Sequence, residues 1–167
     1  MRIDRRRWSA AIAVLLVVAL LTLAALFWVR WRAAGEPQRV VPPAEAAGWR
    51  PDGAPYEIDV SNRGVVISLG MRNDRGDATV RIYQMPPHSP WSRAVDGVAA
   101  QLEGWERLDD CADRPEARTL ECSWREPTRW WPREVQLTML RRPPAEENPT
   151  GWPDHDFLII GSGLGAD

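Results

Sequence analysis

The sequence predicts an α+β protein with a single N-terminal transmembrane helix. A small extracytoplasmic domain follows, a mainly antiparallel sheet in the order β-β-β-α-β-β-β with one packed helix. Three observations carry this. Ser9 to Val29 is a run of 21 residues without a charge. From Tyr56 onward, apolar residues recur at every second position in short runs. Between two groups of such runs, a stretch beginning at Trp91 switches to helical spacing.

At 1.5 Å per residue the apolar run makes a helix of about 32 Å, the thickness of a bilayer's hydrocarbon core. Trp8 stands at one end and Phe27, Trp28 and Trp31 at the other, where indole rings favour the headgroup boundary. A helix apolar on every face would need a larger soluble protein around it than the remaining chain supplies. A cleaved signal peptide is the rival, with Ala33, Ala34 and Gly35 near a plausible cut. Signal cores are shorter, however, and Arg30 and Arg32 separate this one from that cut. All 21 basic residues are arginine, and Arg2, Arg5, Arg6 and Arg7 cluster before the span. Arg30, Arg32 and Arg39 follow it, diluted by Glu36 and Glu45. The asymmetry favours a cytoplasmic N-terminus and a C-terminal domain outside. The chain then divides into cytoplasmic residues 1–8, a transmembrane helix at 9–29, a Pro/Ala-rich tether at 30–55 and the domain at 56–167.

The tether carries Pro37, Pro42, Pro43, Pro51 and Pro55 without periodicity and reads as an extended spacer. Tyr56, Ile58 and Val60 then alternate with polar residues, Asn62-Arg63-Gly64 offers a turn, and Val65, Ile67, Leu69 and Met71 fall on one strand face. A second turn at Arg72 to Asp77 leads into a third strand through Val80 and Ile82. Ser89-Pro90 resembles an N-cap with proline at the first helical position, and Trp91, Ala94 or Val95, Val98, Leu102 and Trp105 follow at helical spacing. Gly97 in that helix either weakens it, by up to about 1 kcal/mol relative to Ala, or marks close packing. Strands are expected through Leu120 to Trp124, Val135 to Met139 and Asp156 to Gly161, and Gly161-Ser162-Gly163 reads as a flexible end.

The two cysteines, Cys111 and Cys122, lack the paired spacing of a zinc site and the C-x-x-C of a redox pair. Outside the cytoplasm they form a disulfide instead, worth about 3 kcal/mol by loop closure. Arg129-Trp130-Trp131-Pro132, with Arg133 behind it, lies between two strands. Neighbouring strand residues point to opposite faces, so one indole is exposed or folded over an edge. Trp and Arg are enriched at binding hot spots, which makes Arg129, Trp130, Trp131 and Arg133 the candidate binding residues. The competing role is to clamp the sheet edge. Asp154-His155-Asp156 offers the elements of a metal ligand pair or a general base, but reads as a surface turn. From Glu45 onward 14 arginines face 21 acids, about -7 in all, a balance that repels nucleic acid and anionic membrane. Arg125, Arg129, Arg133, Arg141 and Arg142 still allow a local basic patch.

The expected function is therefore a membrane-anchored binding or assembly module of the cell envelope. It would be non-enzymatic, without cofactor or metal, held in the lipid bilayer through residues 9–29 and meeting an envelope protein or peptide. Two alternatives stand beside it. One is a small envelope hydrolase using Asp154, His155 and Asp156. The other is an accessory subunit packing through the transmembrane helix, for which no G-x-x-x-G supplies support.

Overall fold

The computed structural model describes residues 5–34, 36–71, 78–143 and 151–164, with side chains from Trp8 onward. The turn expected at Arg72 to Asp77 lies outside the described residues. The chain forms two compact units, one through Ala34 and one from Gly35. The first is α1 (Arg5–Ala34). It is long and apolar enough to cross a membrane, and its apolar residues from Trp8 to Val29 are exposed. Trp28 and Trp31 stack near its end, with ring centroids 5.4 Å apart.

The second unit runs β1 (Ala47–Gly48), α2 (Glu57–Gly70), β2 (Thr79–Met85), α3 (Trp91–Ala99), β3 (Glu106–Arg107), β4 (Thr119–Arg125), β5 (Arg133–Leu140), β6 (Asp156–Leu164). Its six strands form one antiparallel sheet in the order β1-β2-β6-β5-β4-β3. An α+β class with a six-stranded antiparallel sheet matches the expectation. Two of the six strands are different ones, because residues 57–70 form a helix where two strands were expected.

The reason lies in the spacing. Tyr56, Val60, Ile67 and Met71 are buried and recur at three to four residues, with Gly64 between them on the same stripe. Helical and alternating readings both place Val60, Ile67 and Met71 inside. Local hydrogen bonds brace the turn that leads into the helix. The Glu57 carboxylate accepts the backbone N–H of Asp52 and of Gly53, while Asp52 accepts that of Ala54. Glu57 and Asp59 also place negative charge in the first turn, where the helix dipole favours it. Gly64, read as a turn, is where the helix approaches β2, since a Cβ there would stand 3.4 Å from Ile82 Cδ1.

The sheet is covered on both faces. On one, Leu120, Cys122 and Trp124 of β4 and Val135, Leu137 and Met139 of β5 pack with Trp91, Ala94 and Val98 of α3. On the other, α2 lies over β2 and β6, joining Phe157 and Ile159 with Tyr56 and Trp152. Gly161-Ser162-Gly163 is part of central strand β6, buried between β2 and β5, and not a flexible end. Its glycines let α2 sit on the strand: a Cβ at Gly161 would be 2.5 Å from Ile67 Cγ2. Gly97, in contrast, faces open space, so close packing does not explain it.

Two further expectations change. Ser89 does not cap α3; its hydroxyl donates to the Pro86 carbonyl, and Pro90 holds the N-cap position in extended conformation. The segment after α1 is not a free spacer over its whole length. Val40 is buried in the α3-side core, and β1 pairs with the outer edge of β2.

Candidate functional site

The β4–β5 hairpin carries the candidate binding residues. Its base is locked by Arg133, whose Nε and Nη2 both donate to the Glu126 carboxylate, at 3.1 and 3.2 Å, across the two strand ends. The same guanidinium lies over the Trp105 ring, 5.6 Å from its centroid. Glu126 N–H donates to the Arg133 carbonyl, and Thr128 N–H to the Glu126 carbonyl. Arg133 therefore holds the loop and is partly buried, rather than being presented at its tip.

Above this base Trp131 adopts φ +50°, a left-handed conformation that costs a non-glycine residue of order 1 kcal/mol. That turn separates the two indoles, which meet tilted at 6.1 Å. Trp131 is half-buried, whereas Trp130 is 62% exposed, and Arg129 is exposed beside it. The hairpin thus brings Arg129 and Trp130 together at the surface and uses Trp131 and Arg133 to support them.

Cys111 and Cys122 are joined by a disulfide with a Cα separation of 4.7 Å. The bridge ties the middle of β4 to the loop after β3, and Cys111 sits at φ +53°. Its carbonyl accepts the indole N–H of buried Trp91 at 2.9 Å, so the bridge also fixes the first residue of α3. The enclosed loop is held from outside by Arg141, which donates to Asp113 at 2.8 Å and to the Arg114 carbonyl at 3.0 Å.

Asp154, His155 and Asp156 do not converge. Asp154 is exposed and accepts Arg142 Nη1 at 2.6 Å. Asp156 is buried and accepts the backbone N–H of Arg142 at 3.1 Å. His155 lies edge-on to Phe157 at 4.8 Å. Burial pulls its imidazole below the usual histidine range, against the charges of Asp156, Asp154 and Asp52. The three serve the β6 entry and the aromatic core.

The arginine cluster is largely neutralised. Arg125 pairs with Glu134, Arg133 with Glu126, Arg141 with Asp113 and Arg142 with Asp154. Among the described residues no group of three or more His, Cys, Asp or Glu is arranged to hold a metal ion.

One surface was missed in the sequence. Ile58, Val65, Val66 and Leu69 are exposed along the outer side of α2. In a strand reading Ile58 shared a face with buried Val60, and Val65 and Leu69 shared one with buried Ile67 and Met71, so the outward row could not be seen. Next to it a cleft of about 360 Å³ separates α2 from β4, but its Arg118 is already engaged by Asp59 and by the Trp152 ring. Comparison with protein-family models, curated proteins and solved structures finds no match for the chain.

Proposed function

We propose that the protein is a bitopic, type II membrane protein whose extracytoplasmic domain is a non-enzymatic binding or assembly module of the cell envelope. The length and apolar character of α1 support the anchor, and the arginines before it support a cytoplasmic N-terminus. The disulfide supports an oxidising compartment for the domain.

The observation that carries the binding role is Trp130, exposed at the tip of a hairpin whose base is clamped by Arg133, Glu126 and Trp105. A large indole held in water by a rigid support loses little further freedom on contact, which is the economy of a pre-organised hot spot. Its occupant in this reading is an envelope protein or peptide, with Arg129 contributing charge at the rim. The dispersed geometry of Asp154, His155 and Asp156 gives no observation in favour of a hydrolase.

The test is crosslinking of full-length protein in its membrane, with a photoreactive residue in place of Arg129, beside an intact Trp130, or, as control, of exposed Glu103. A discrete adduct from position 129 alone, competed by unmodified protein and not by Trp130→Ala, is expected. Equal adducts from both positions, or none from 129, overturn the assignment of this surface.

A further inference from the structure

The docked segment after α1 builds a second site. Val41 is held at both main-chain groups by the Gln101 side chain, its N–H donating to Oε1 at 2.8 Å and its carbonyl accepting from Nε2 at 2.9 Å. This fixes Arg39 beside the sheet, where a cleft of about 210 Å³ lies between it and the side chains of Thr79, Arg81, Tyr83 and Ser162. Thr79 pairs in register with Ser162 across β2 and β6, and alternation puts Arg81 and Tyr83 on the same face.

Two independent features point to a ligand, the first of them to an anion. Arg39 and Arg81 are both exposed, and neither pairs with a carboxylate among the described residues, in a domain that carries about -7 from Glu45 onward. Ser162 is 3% exposed at the centre of the sheet, and its Oγ has no hydrogen-bond partner among the described residues. A buried hydroxyl is rarely left unpaired, because it has given up water for nothing.

We propose that this cleft binds a phosphate group. Arg39 and Arg81 neutralise its charge, Ser162 Oγ–H donates to one oxygen, and Thr79 and Tyr83 supply further hydroxyls. Two guanidinium forks and three hydroxyls exceed what the two oxygens of a carboxylate accept, and suit the several oxygens of a phosphate. The volume is below that of a pocket enclosing a whole drug-sized ligand, so it takes a head group whose remainder lies outside. Val40 and Ile160 give it an apolar wall. Arg39 follows the last residue of α1 by five positions, at most about 18 Å of extended chain. If α1 is the membrane anchor proposed above, a lipid headgroup is within reach; a soluble phosphate ester presents the same chemistry.

The experiment is a thermal-shift titration of the full-length protein in maltoside micelles, with glycerol phosphate in one arm, short-chain phosphatidylglycerol in a second and succinate in a third. A saturable rise in Tm is expected with at least one phosphate probe and not with succinate. Response to the lipid alone assigns a headgroup; response to glycerol phosphate assigns a soluble ester. Arg81→Gln should abolish the rise and Ser162→Ala should weaken binding about tenfold, while Arg107→Gln, on an exposed edge strand, leaves it intact. No saturable rise with either phosphate, an equal rise with succinate, or an unchanged rise in Arg81→Gln overturns the proposal. Because the assay does not involve Trp130, its failure leaves the hairpin reading standing, and the reverse.

Discussion

On the α3 face of the sheet, the inward positions of β4 and β5 are filled by Leu120, Trp124, Val135, Leu137 and Met139, and a disulfide ties Cys122 to the loop that receives the Trp91 indole. On the α2 face, central strand β6 offers Gly161 and Gly163 and the helix comes down onto them. One face is closed by large side chains and a covalent tie; on the other, beside the aromatic cluster of Tyr56, Trp152 and Phe157, missing side chains let a helix approach the strand. The first arrangement tolerates small shifts, because side chains can repack around a fixed bridge. The second leaves no such slack, since a single added methyl group has nowhere to go.

The largest effect is expected at the bridge. Replacing both Cys111 and Cys122 by Ala releases an enclosed loop and should cost about 3 kcal/mol in denaturant unfolding of the full-length protein. Hydrogen exchange should rise most in α3, whose first residue hangs on the Cys111 carbonyl. A loss below about 1 kcal/mol, with α3 still protected, would mean that apolar packing alone closes this face.

Gly161→Ala probes the other face. Its Cβ would stand 2.5 Å from Ile67 Cγ2 and 3.1 Å from Met71 Cε, so α2 must shift, at a cost of about 1–3 kcal/mol. Gly97→Ala is the control, because that helical glycine meets nothing within 4 Å and the change should stabilise by about 0.5–1 kcal/mol. Equal, small effects from the two substitutions would show that α2 is not seated on β6 as described.

How far the sequence could be read follows the same division. The strands β4 and β5 were legible through alternation, which has a unique register where one face is buried, and the first part of β6 as a short run apolar on both faces. The disulfide was legible once the apolar run suggested a compartment. The α2 face was not: Val60, Ile67 and Met71 satisfy periods of both two and 3.6, and the contacts that brace the turn into the helix, Glu57 to the backbone of Asp52 and Gly53, are local hydrogen bonds that no periodicity reports. Gly161 and Gly163 looked like a flexible end for a related reason, since glycine in sequence marks either freedom or close approach. At the hairpin the sequence did not report how Arg129, Trp130, Trp131 and Arg133 divide between support and surface. That Arg133 braces while Trp130 is displayed depends on the left-handed turn at Trp131.

The smallest expected effect separates the faces by pH. His155 sits at the rim of the aromatic cluster on the α2 face, edge-on to Phe157, with its backbone carbonyl accepting the Trp152 indole N–H at 3.2 Å. Burial lowers its proton affinity in the folded state, and the nearby Asp156, Asp154 and Asp52 offset that only in part. The unfolded chain, with histidine near its ordinary value of about 6.5, therefore binds the proton more readily. Its contribution to stability is present above that pH and is lost as pH falls through the lowered folded value. Denaturation at pH 7.5 and 5.5 should accordingly show wild type losing stability over this interval. His155→Phe, which keeps the ring and removes the titration, should lose less. Hydrogen exchange at the lower pH should increase around Trp152 and Phe157 and not in α3, whose core positions hold no histidine. An identical pH response in the variant would place the titrating group elsewhere. Loss of protection in α3 would mean that the two faces unfold as one unit despite their different construction.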